Sequence, residues 1–377
     1  MSPHNPTGSV LFDSGPLGTG SLFENPDTLI EVWQPEDVAA GFEKLEAARA
    51  NGKWLAGSVS YELGYALIPK IASRLPANRT EPLLRFGVFD RPQHPASANR
   101  DARAKLGAFA PVWRFDRYLD AFEIVQDYIR NGDIYQANLT FALVTEFAGC
   151  PHSLFHALRR KQPVPYGALV DLGGTTLLSR SPELFFSISQ SGQLRARPMK
   201  GTVRRSEDAF EDRELKDHLA ASEKDRAENL MITDLLRNDL GRISRIGSVC
   251  VPRLFAIESY RTVHQMVSEV VSQLSPNLGL FDIFSALFPC GSITGAPKIR
   301  SMEILSDVEQ DPRGSYCGAI GWIAPDLPME FNVSIRTLIC EPSGRTTLNV
   351  GGGVVHDSTA RGEYEEALLK GSFAADL

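Results

Sequence analysis

The sequence predicts a mixed α/β protein, of the α+β kind, with much antiparallel sheet. Three observations lead there. Short runs rich in branched and aromatic residues recur along the whole chain, with the length and composition of strands. Helical stretches are scattered among them, without the regular alternation of a doubly wound parallel sheet. No internal repeat or low-complexity tract points to another architecture.

The composition is that of an ordinary soluble globular protein: 377 residues, 43% hydrophobic and 23% charged. That length suits two or three average domains or one large intertwined one. The net charge of −7 and the absence of any basic run of five residues argue against nucleic acid as a partner. Cys150, Cys250, Cys290, Cys317 and Cys340 are odd in number and widely spaced, with no CxxC pair. Neither a disulfide framework nor a zinc site is indicated, which fits a reducing compartment. The first ten residues lack a charged-then-apolar leader pattern, and no apolar run approaches membrane-spanning length. The expectation is a cytoplasmic protein with no membrane contact.

In chain order, residues 10–12 and 28–33 read as strands. Residues 35–51 read as a helix with Val38, Phe42, Leu45 and Ala48 on one side. Residues 54–61 and 83–89 are further strands, and Leu11-Phe12-Asp13-Ser14 reads as an ordinary strand end. Residues 91–112, with Pro92, Pro95 and Pro111, read as a connector. The predicted division is therefore 1–112, in which nothing suggests chemistry, and 113–377.

The second part opens with an amphipathic helix over 116–130, stopped by Asn131-Gly132-Asp133, and a strand over 134–140. A short helix at 152–161 precedes successive strands through 166–189. In Arg197-Pro198-Met199-Lys200-Gly201-Thr202 the proline disfavours helix and the glycine suits irregular backbone, so Lys200 is expected on an extended segment. Residues 208–242 form a long charged helical stretch. Strands at 248–252 and 262–272, a helix at 280–288, a loop at 291–298 and a helix at 298–308 follow. Strands at 318–323 and 331–340, the triplet Gly351-Gly352-Gly353 and a last helix at 360–370 complete the chain.

Asp225 and Glu228 are three apart and share a helix face, as do Glu363 and Glu366, with Lys370 one turn on. Two such acid pairs brought together would repel unless a cation lay between them. Carboxylates with few histidines suit Mg²⁺ better than zinc. Such pairs are also common on exposed helices, so spacing alone is not specific. Residues 291–297 and 351–353 fit neither a P-loop nor G-x-G-x-x-G. Bare amides at 351–353 would instead suit a small anion. Arg336, on the same side of a strand as Asn332 and Ser334, would be an inward-facing cation. Taken alone, Lys200 reads as a surface turn lysine, because lysine is rarely buried. No G-x-S-x-G pattern and no protease-like or amidotransferase-like cysteine is present.

Several segments occur together in one order: Tyr135-Gln136-Ala137-Asn138-Leu139, Ser181-Pro182-Glu183-Leu184-Phe185, Lys200-Gly201-Thr202 and Arg226-Ala227-Glu228-Asn229-Leu230-Met231. Asp234-Leu235-Leu236-Arg237-Asn238-Asp239, the 291–298 loop, Ile335-Arg336 and Gly351-Gly352-Gly353-Val354-Val355 continue the series. Together they resemble the chorismate-utilising enzymes, strongly over about 116–371 and more loosely over 9–110. The resemblance implies two packed antiparallel sheets flanked by helices, with the first third completing the sandwich. It also implies Mg²⁺ on the ring carboxylate of chorismate, Glu228 and Glu366 as nearest ligands, and Asp225 and Glu363 holding its waters. Arg336, Tyr316, Lys370 and the amides of Gly351, Gly352 and Gly353 would position the substrate carboxylates, and Thr294 would help line the pocket.

Within that family three positions discriminate. Gln136 stands where the isochorismate and salicylate synthases resemble one another in a water-activating lysine. Lys200 stands where anthranilate synthases typically have alanine, which is similar to the aminodeoxychorismate synthase branch. Gln265 stands where anthranilate synthases have a histidine that assists pyruvate elimination; His264 is offset by one and would face the other way. The resemblance thus implies amination of chorismate through a Lys200 adduct, with Glu183 as acid and then base. For Lys200 to be neutral near pH 7, its pKa must fall from about 10.4 by roughly three. The ammonia is expected from a separate glutamine amidotransferase subunit, and conversion of the product from a separate aminodeoxychorismate lyase. The competing expectations are anthranilate synthase component I and a silent chorismate-binding subunit that activates an amidotransferase.

Overall fold

The computed structural model describes residues 8–95, 104–260 and 263–375. The first seven residues, where the sequence reading expected no leader, the middle of the predicted connector and the first residue of the predicted 262–272 strand lie outside them. Two ten-stranded antiparallel sheets form the body. The first is ordered Gly295–Ala296, Gln136–Gly149, Arg345–Val354, Thr337–Cys340, Thr176–Ser181, Tyr166–Asp171, Ser9–Phe12 and Ser21–Glu24. The second is ordered Met199–Arg204, Val263–Gln273, Gln193–Arg197, Leu184–Ile188, Met329–Val333, Ala319–Ile323, Trp54–Val59, Leu84–Phe89 and Thr28–Val32. Strand Cys250–Ser259 pairs on Val263–Gln273, and the short Ala104–Leu106 and Ala110–Pro111 strands pair on Gln136–Gly149.

Three apolar clusters order the layers. Val10, Phe12, Phe23, Val170 and Leu177 of the first sheet pack against Ala56, Phe89, Ile320 and Trp322 of the second, so the sheets lie face to face. On the far side of the second sheet, Phe186 and Phe331 meet Phe42, Ile232 and Phe284 from helices Val38–Ala50, Glu223–Gly241 and Leu280–Leu287. On the far side of the first, Leu139, Phe141 and Val350 meet Tyr118, Phe122, Leu305 and Ala367 from helices Phe115–Arg130, Lys298–Glu309 and Ala360–Gly371. The expected sandwich with outer helices is what forms. The first third is woven into both sheets, Ser9–Phe12 pairing with Tyr166–Asp171 and Trp54–Val59 with Ala319–Ile323. Asp13, at the first strand end, is a structural anion: Arg180 lies 2.6 Å and Arg159 3.2 Å from its carboxylate. Among the described residues no helix is long and apolar enough to cross a membrane.

Three elements differ from the sequence reading. The strand expected to end at 140 continues to Gly149, because Ala110–Pro111, Ala104–Leu106 and Arg345–Val354 all pair along its extension. The stretch at 208–242 is two helices, Ala209–Ala221 and Glu223–Gly241, and the Ser222 hydroxyl caps the second by accepting the Asp225 N–H at 3.2 Å. The run at 331–340 is two strands in different sheets, Met329–Val333 and Thr337–Cys340. Both halves are apolar, so composition hides the crossing; the backbone makes it at Arg336, with φ 51°.

Candidate active site

The site is built where the chain changes sheets. It leaves the first sheet after Thr176–Ser181 and enters the second at Leu184–Ile188, which puts Glu183 in the crossing. It returns between Met329–Val333 and Thr337–Cys340, which puts Arg336 in the other. The two crossings are bonded together: Val333 N–H donates to Glu183 O at 3.1 Å, and the Ser181 hydroxyl donates to Val333 O at 2.6 Å. Arg336 is therefore held in a left-handed turn, where the sequence predicts an alternating strand; the convergence with Glu183 survives that correction. Burial lowers the Arg336 pKa, and Glu183 opposes that.

Glu183 is 5% exposed, and its Oε1 is buried without a hydrogen-bond partner. Burial pushes its carboxyl up to about 7, against the opposing pull of the Ser292 hydroxyl, Lys200 and Arg336. A carboxyl at that value is divided between acid and base near neutrality, as a group that must do both jobs requires.

Lys200 lies on strand Met199–Arg204, whose register with Val263–Gln273 shifts between Met199 and Thr202. That irregularity aims a half-buried lysine away from the regular pleat. Gly201, at φ 84°, lets the strand pass close to the Glu223–Gly241 helix; a β-carbon there would lie 2.9 Å from the Asp225 side chain. Burial lowers the Lys200 pKa, Glu228 opposes, Lys370 adds to the lowering, and Glu183 and Glu366 oppose. Gln136 is 0% exposed, and both heteroatoms of its amide lack partners. It comes close to Lys200 over Gly353.

The two acid pairs face each other from different helices. Burial raises the Glu228 carboxyl, Lys200 and Lys224 oppose, and the charges of Asp225 and Glu363 raise it further. Glu363 accepts from the Ser358 hydroxyl at 2.6 Å. Glu366 lies 2.8 Å from Lys370. Burial raises the Glu366 carboxyl, but Lys370, Lys200 and Lys224 outweigh that and hold it below its ordinary value. Lys370 also donates to Gly351 O at 3.0 Å. A β-carbon on Gly352 would come within 3.0 Å of Glu363 Oε2 and 3.4 Å of Lys370 Nζ, so the bare strand lets the last helix's charges reach the site. Among the described residues no three acids, histidines or cysteines converge tightly enough to grip an ion as they stand. The donor set is nonetheless all hard oxygen, and its carboxylates, from two helices, repel one another. Both features fit a small divalent cation better than a soft metal.

Residues 9–376 match the family model described as chorismate binding enzyme. The chain belongs to the chorismate-binding enzyme family. It is 41% identical over 255 residues to aminodeoxychorismate synthase component 1 of Klebsiella aerogenes, covering 68% of this chain and 56% of that protein. Its identity to the protein of the same name from Bacillus subtilis is 39% over 278 residues, covering 73% and 58%. The chain thus spans a little over half the length of these curated relatives. Among solved structures it is similar to anthranilate synthase component I from Streptococcus pneumoniae, with a TM-score of 0.77 and 26% identity over 98% of this chain and 91% of the other. The menaquinone-specific isochorismate synthase of Escherichia coli, at TM-score 0.76 and 16% identity over 99% and 89%, shares the fold.

For a chorismate-binding enzyme the placement of the remaining residues is informative. Thr294 is 0% exposed, and its hydroxyl faces the carbonyls of Cys290 and Gly291 at 3.2 and 3.1 Å, which closes its own loop. Tyr316 is 5% exposed; burial raises its hydroxyl, and the charged groups acting on it include Arg313 and Glu309. His264 turns away from Lys200, with Nδ1 2.8 Å from the Ser259 hydroxyl and Nε2 3.0 Å from Asp212. Gln265 pairs opposite Thr202 and is 9% exposed. Ser292, which faces Glu183, was not singled out from the sequence, although it lies inside the recognised 291–298 segment.

Proposed function

We propose that this chain is an aminodeoxychorismate synthase component I, converting chorismate and ammonia to 4-amino-4-deoxychorismate. The observation that carries the reading is the meeting of Glu183, Lys200 and Gln136 in one enclosed site, with an amide where a water-activating lysine would be required for hydroxylation. Glu183, protonated, gives its proton to the C4 hydroxyl, which leaves as water. The neutral Lys200 amine adds at C2 as the ring double bonds shift, and the adduct nitrogen keeps both its protons as a secondary ammonium. Ammonia next bonds to C4, the double bonds shift back, and the C2–nitrogen bond breaks. Lys200 departs as an amine, and Glu183 takes the proton lost by the new amino group. The substrate keeps its enolpyruvyl group throughout.

Arg336, the bare amides at Gly351, Gly352 and Gly353, and Lys370 would receive the substrate's carboxylates, with Tyr316 and Thr294 closing the wall behind them. Glu228 and Glu366 would hold Mg²⁺ directly, with Asp225 and Glu363 on its waters, and the ion would supply positive charge to the ring carboxylate. Burial of Lys200 supports its nucleophilic role, because desolvation favours the neutral amine. A glutamine amidotransferase subunit would supply the ammonia, and a separate lyase would carry the product to p-aminobenzoate for folate synthesis. In the proposed division, residues 1–112 complete the sandwich and residues 113–377 carry the reacting groups.

The second reading, anthranilate synthase component I, is favoured by the solved structure at 26% identity. Against it stands His264, whose imidazole is committed to Asp212 and Ser259. The deciding experiment incubates the purified chain with chorismate, Mg²⁺ and ammonium chloride and reads products by mass spectrometry. The expected product is 4-amino-4-deoxychorismate without free pyruvate, and Lys200→Ala should remove the covalent adduct. Anthranilate with pyruvate would overturn the reading. Chorismate bound but unconverted would make the chain a silent binding subunit.

A further inference from the structure

A cavity of about 290 Å³ opens along strands Gln136–Gly149 and Arg345–Val354, bordered by the 78–81 and 309–314 loops. Thr140 and Ala142 of one strand and Thr347 and Asn349 of its neighbour line it. In the register of these strands Thr140 faces Gly351 and Ala142 faces Asn349, while Asn138 faces Gly353. The face that carries Gln136 and Gly353 at the site therefore continues into the cavity, Thr140 lying about 13 Å along the strand from Gln136.

One buried ion pair separates the two spaces. Arg313 donates to Ile293 O at 3.0 Å and to Asn138 O at 2.7 Å, and its other contacts go to Glu309 at 2.7 and 2.8 Å. Glu309 accepts the Thr140 N–H at 2.9 Å and its hydroxyl at 3.0 Å. Asn138 N–H donates to Thr294 O at 3.0 Å, so the strand that Arg313 bonds is also bonded to the Thr294 loop.

The lining is net negative, with five carboxylates against three guanidiniums. Glu309 and Arg313 satisfy each other, and Arg345 sits 4.0 Å from Glu341. Arg79 turns its terminal nitrogens to the carbonyls of Trp33 and Pro76. Glu62, Glu81 and Asp311 then form no ion pair among the described residues, although Glu62 accepts the Arg313 backbone N–H at 2.7 Å and Glu81 accepts the Ser315 N–H at 3.2 Å and the Ser315 hydroxyl. Burial lifts the Glu62 carboxyl to about 7 and raises that of Glu81 as well. A smaller adjoining recess of about 20 Å³ shares Glu62, Glu309, Asp311 and Arg313 with the cavity. Tyr61 lines that recess, 2% exposed, with its hydroxyl lacking any hydrogen-bond partner.

We propose that this cavity is an ammonium site, from which ammonia reaches the catalytic centre along the inner face of strand Gln136–Gly149. The inference rests on the amination reading and adds where the nitrogen enters. A recessed, net negative lining concentrates a small cation. Ammonium has four N–H donors, and the carboxylates of Glu62, Glu81 and Asp311 with the Tyr61 oxygen supply acceptors. To become a nucleophile the ion must lose one proton. Ammonium and the Glu62 carboxylate give ammonia and the Glu62 carboxylic acid, whose proton returns to solvent through the cavity mouth. The ammonia, neutral and water-sized, then passes the Arg313–Glu309 pair, which bonds both Asn138 and Ile293, toward the Thr294 loop.

The test uses the full chain with chorismate, Mg²⁺ and varied ammonium chloride at fixed ionic strength. Two variants change the cavity by different means: Thr347→Trp fills it, and the double variant Glu81→Gln/Asp311→Asn neutralises its lining. Both should raise the KM for ammonium at least about fivefold while the KM for chorismate stays within about twofold. An unchanged ammonium KM in both, or an equal rise in chorismate KM, would overturn the proposal. Melting temperature in ammonium chloride against equal sodium chloride gives a second readout, with a rise expected in the wild type and absent from both variants. If the wild type makes no aminated product the function reading falls, whereas loss of the ammonium-specific melting shift removes the cavity site alone.

Discussion

Lys200 and Gln136 meet over Gly353: a β-carbon on that glycine would lie 3.1 Å from the lysine Nζ and 2.8 Å from the amide Nε2. The proposed nucleophile and the amide thus share one bare stretch of strand Arg345–Val354. The strand opposite carries Gln136 at its start, and Lys200 comes from the other sheet. The glycine is there because two side chains from two sheets need the volume a methyl group would fill.

Gly353→Ala should therefore damage chemistry more than folding. Its backbone is not left-handed, so alanine strains nothing but the contact with Gln136 and Lys200. Displacing either group by a few tenths of an ångström to about 1 Å should lower kcat on the order of 100-fold. The melting temperature should stay close to wild type. Retention of wild-type turnover, measured alongside the yield of Lys200 adduct by intact-mass spectrometry, would show that the two groups do not need this spacing.

Glu183→Gln should abolish turnover and yet stabilise the fold above neutral pH. The Glu183 carboxyl sits at about 7 in the folded chain, above its ordinary 4.5, because burial disfavours the charge. Between those values the folded state holds more protons than the unfolded state, so stability falls as pH rises through that window. Above pH 7 the wild type carries a penalty of about 3 kcal/mol that the amide lacks. Urea unfolding at pH 5 and pH 8 should show the variant gaining on the wild type only at the higher pH. An equal difference at both would mean that Glu183 is not the group held protonated.

The sandwich and its outer helices were legible because strand runs and amphipathic stretches keep their periods through most of the chain. What was not legible is where strands change sheets. Residues 329–340 read as one strand because Met329–Val333 and Thr337–Cys340 are both apolar, and nothing in the letters marks Arg336 as left-handed. The site residues were found through motif order, not through physics visible in the sequence: spacing alone left Asp225, Glu228, Glu363 and Glu366 as exposed acid pairs. Their opposition across two helices is a tertiary fact.

Removing divalent metal should be visible without any turnover. Added to the chelator-treated chain, Mg²⁺ at 100 times its Kd should stabilise by about 2.7 kcal/mol, a rise of several degrees in melting temperature. Glu228→Gln should abolish that rise and at the same time raise the melting temperature of the metal-free chain. The second effect follows from burial and from the charges of Asp225 and Glu363, which already disfavour its ionised form. A wild type indifferent to Mg²⁺, with Glu228→Gln no more stable, would take the carboxylates out of metal binding.

A buried ion pair joins the acid-bearing helix to the end of the Thr294 loop. Lys298 Nζ lies 2.6 Å from Asp239 near the end of Glu223–Gly241 and also donates to Leu287 O at 3.2 Å. The side chains are 10% and 5% exposed. Burial raises the Asp239 carboxyl and Lys298 opposes, so Lys298→Met would leave an uncompensated buried acid. Breaking such a pair costs about 3–5 kcal/mol, whereas replacing both partners with apolar side chains is often neutral. Urea unfolding should therefore show a large loss for Lys298→Met and recovery for Asp239→Leu/Lys298→Met. The KM for chorismate should rise in both, because neither variant ties the loop to the helix that carries Glu228. If the double variant restores KM along with stability, the pair contributes packing only. If the single variant loses less than about 1 kcal/mol, the pair is not a clamp at all.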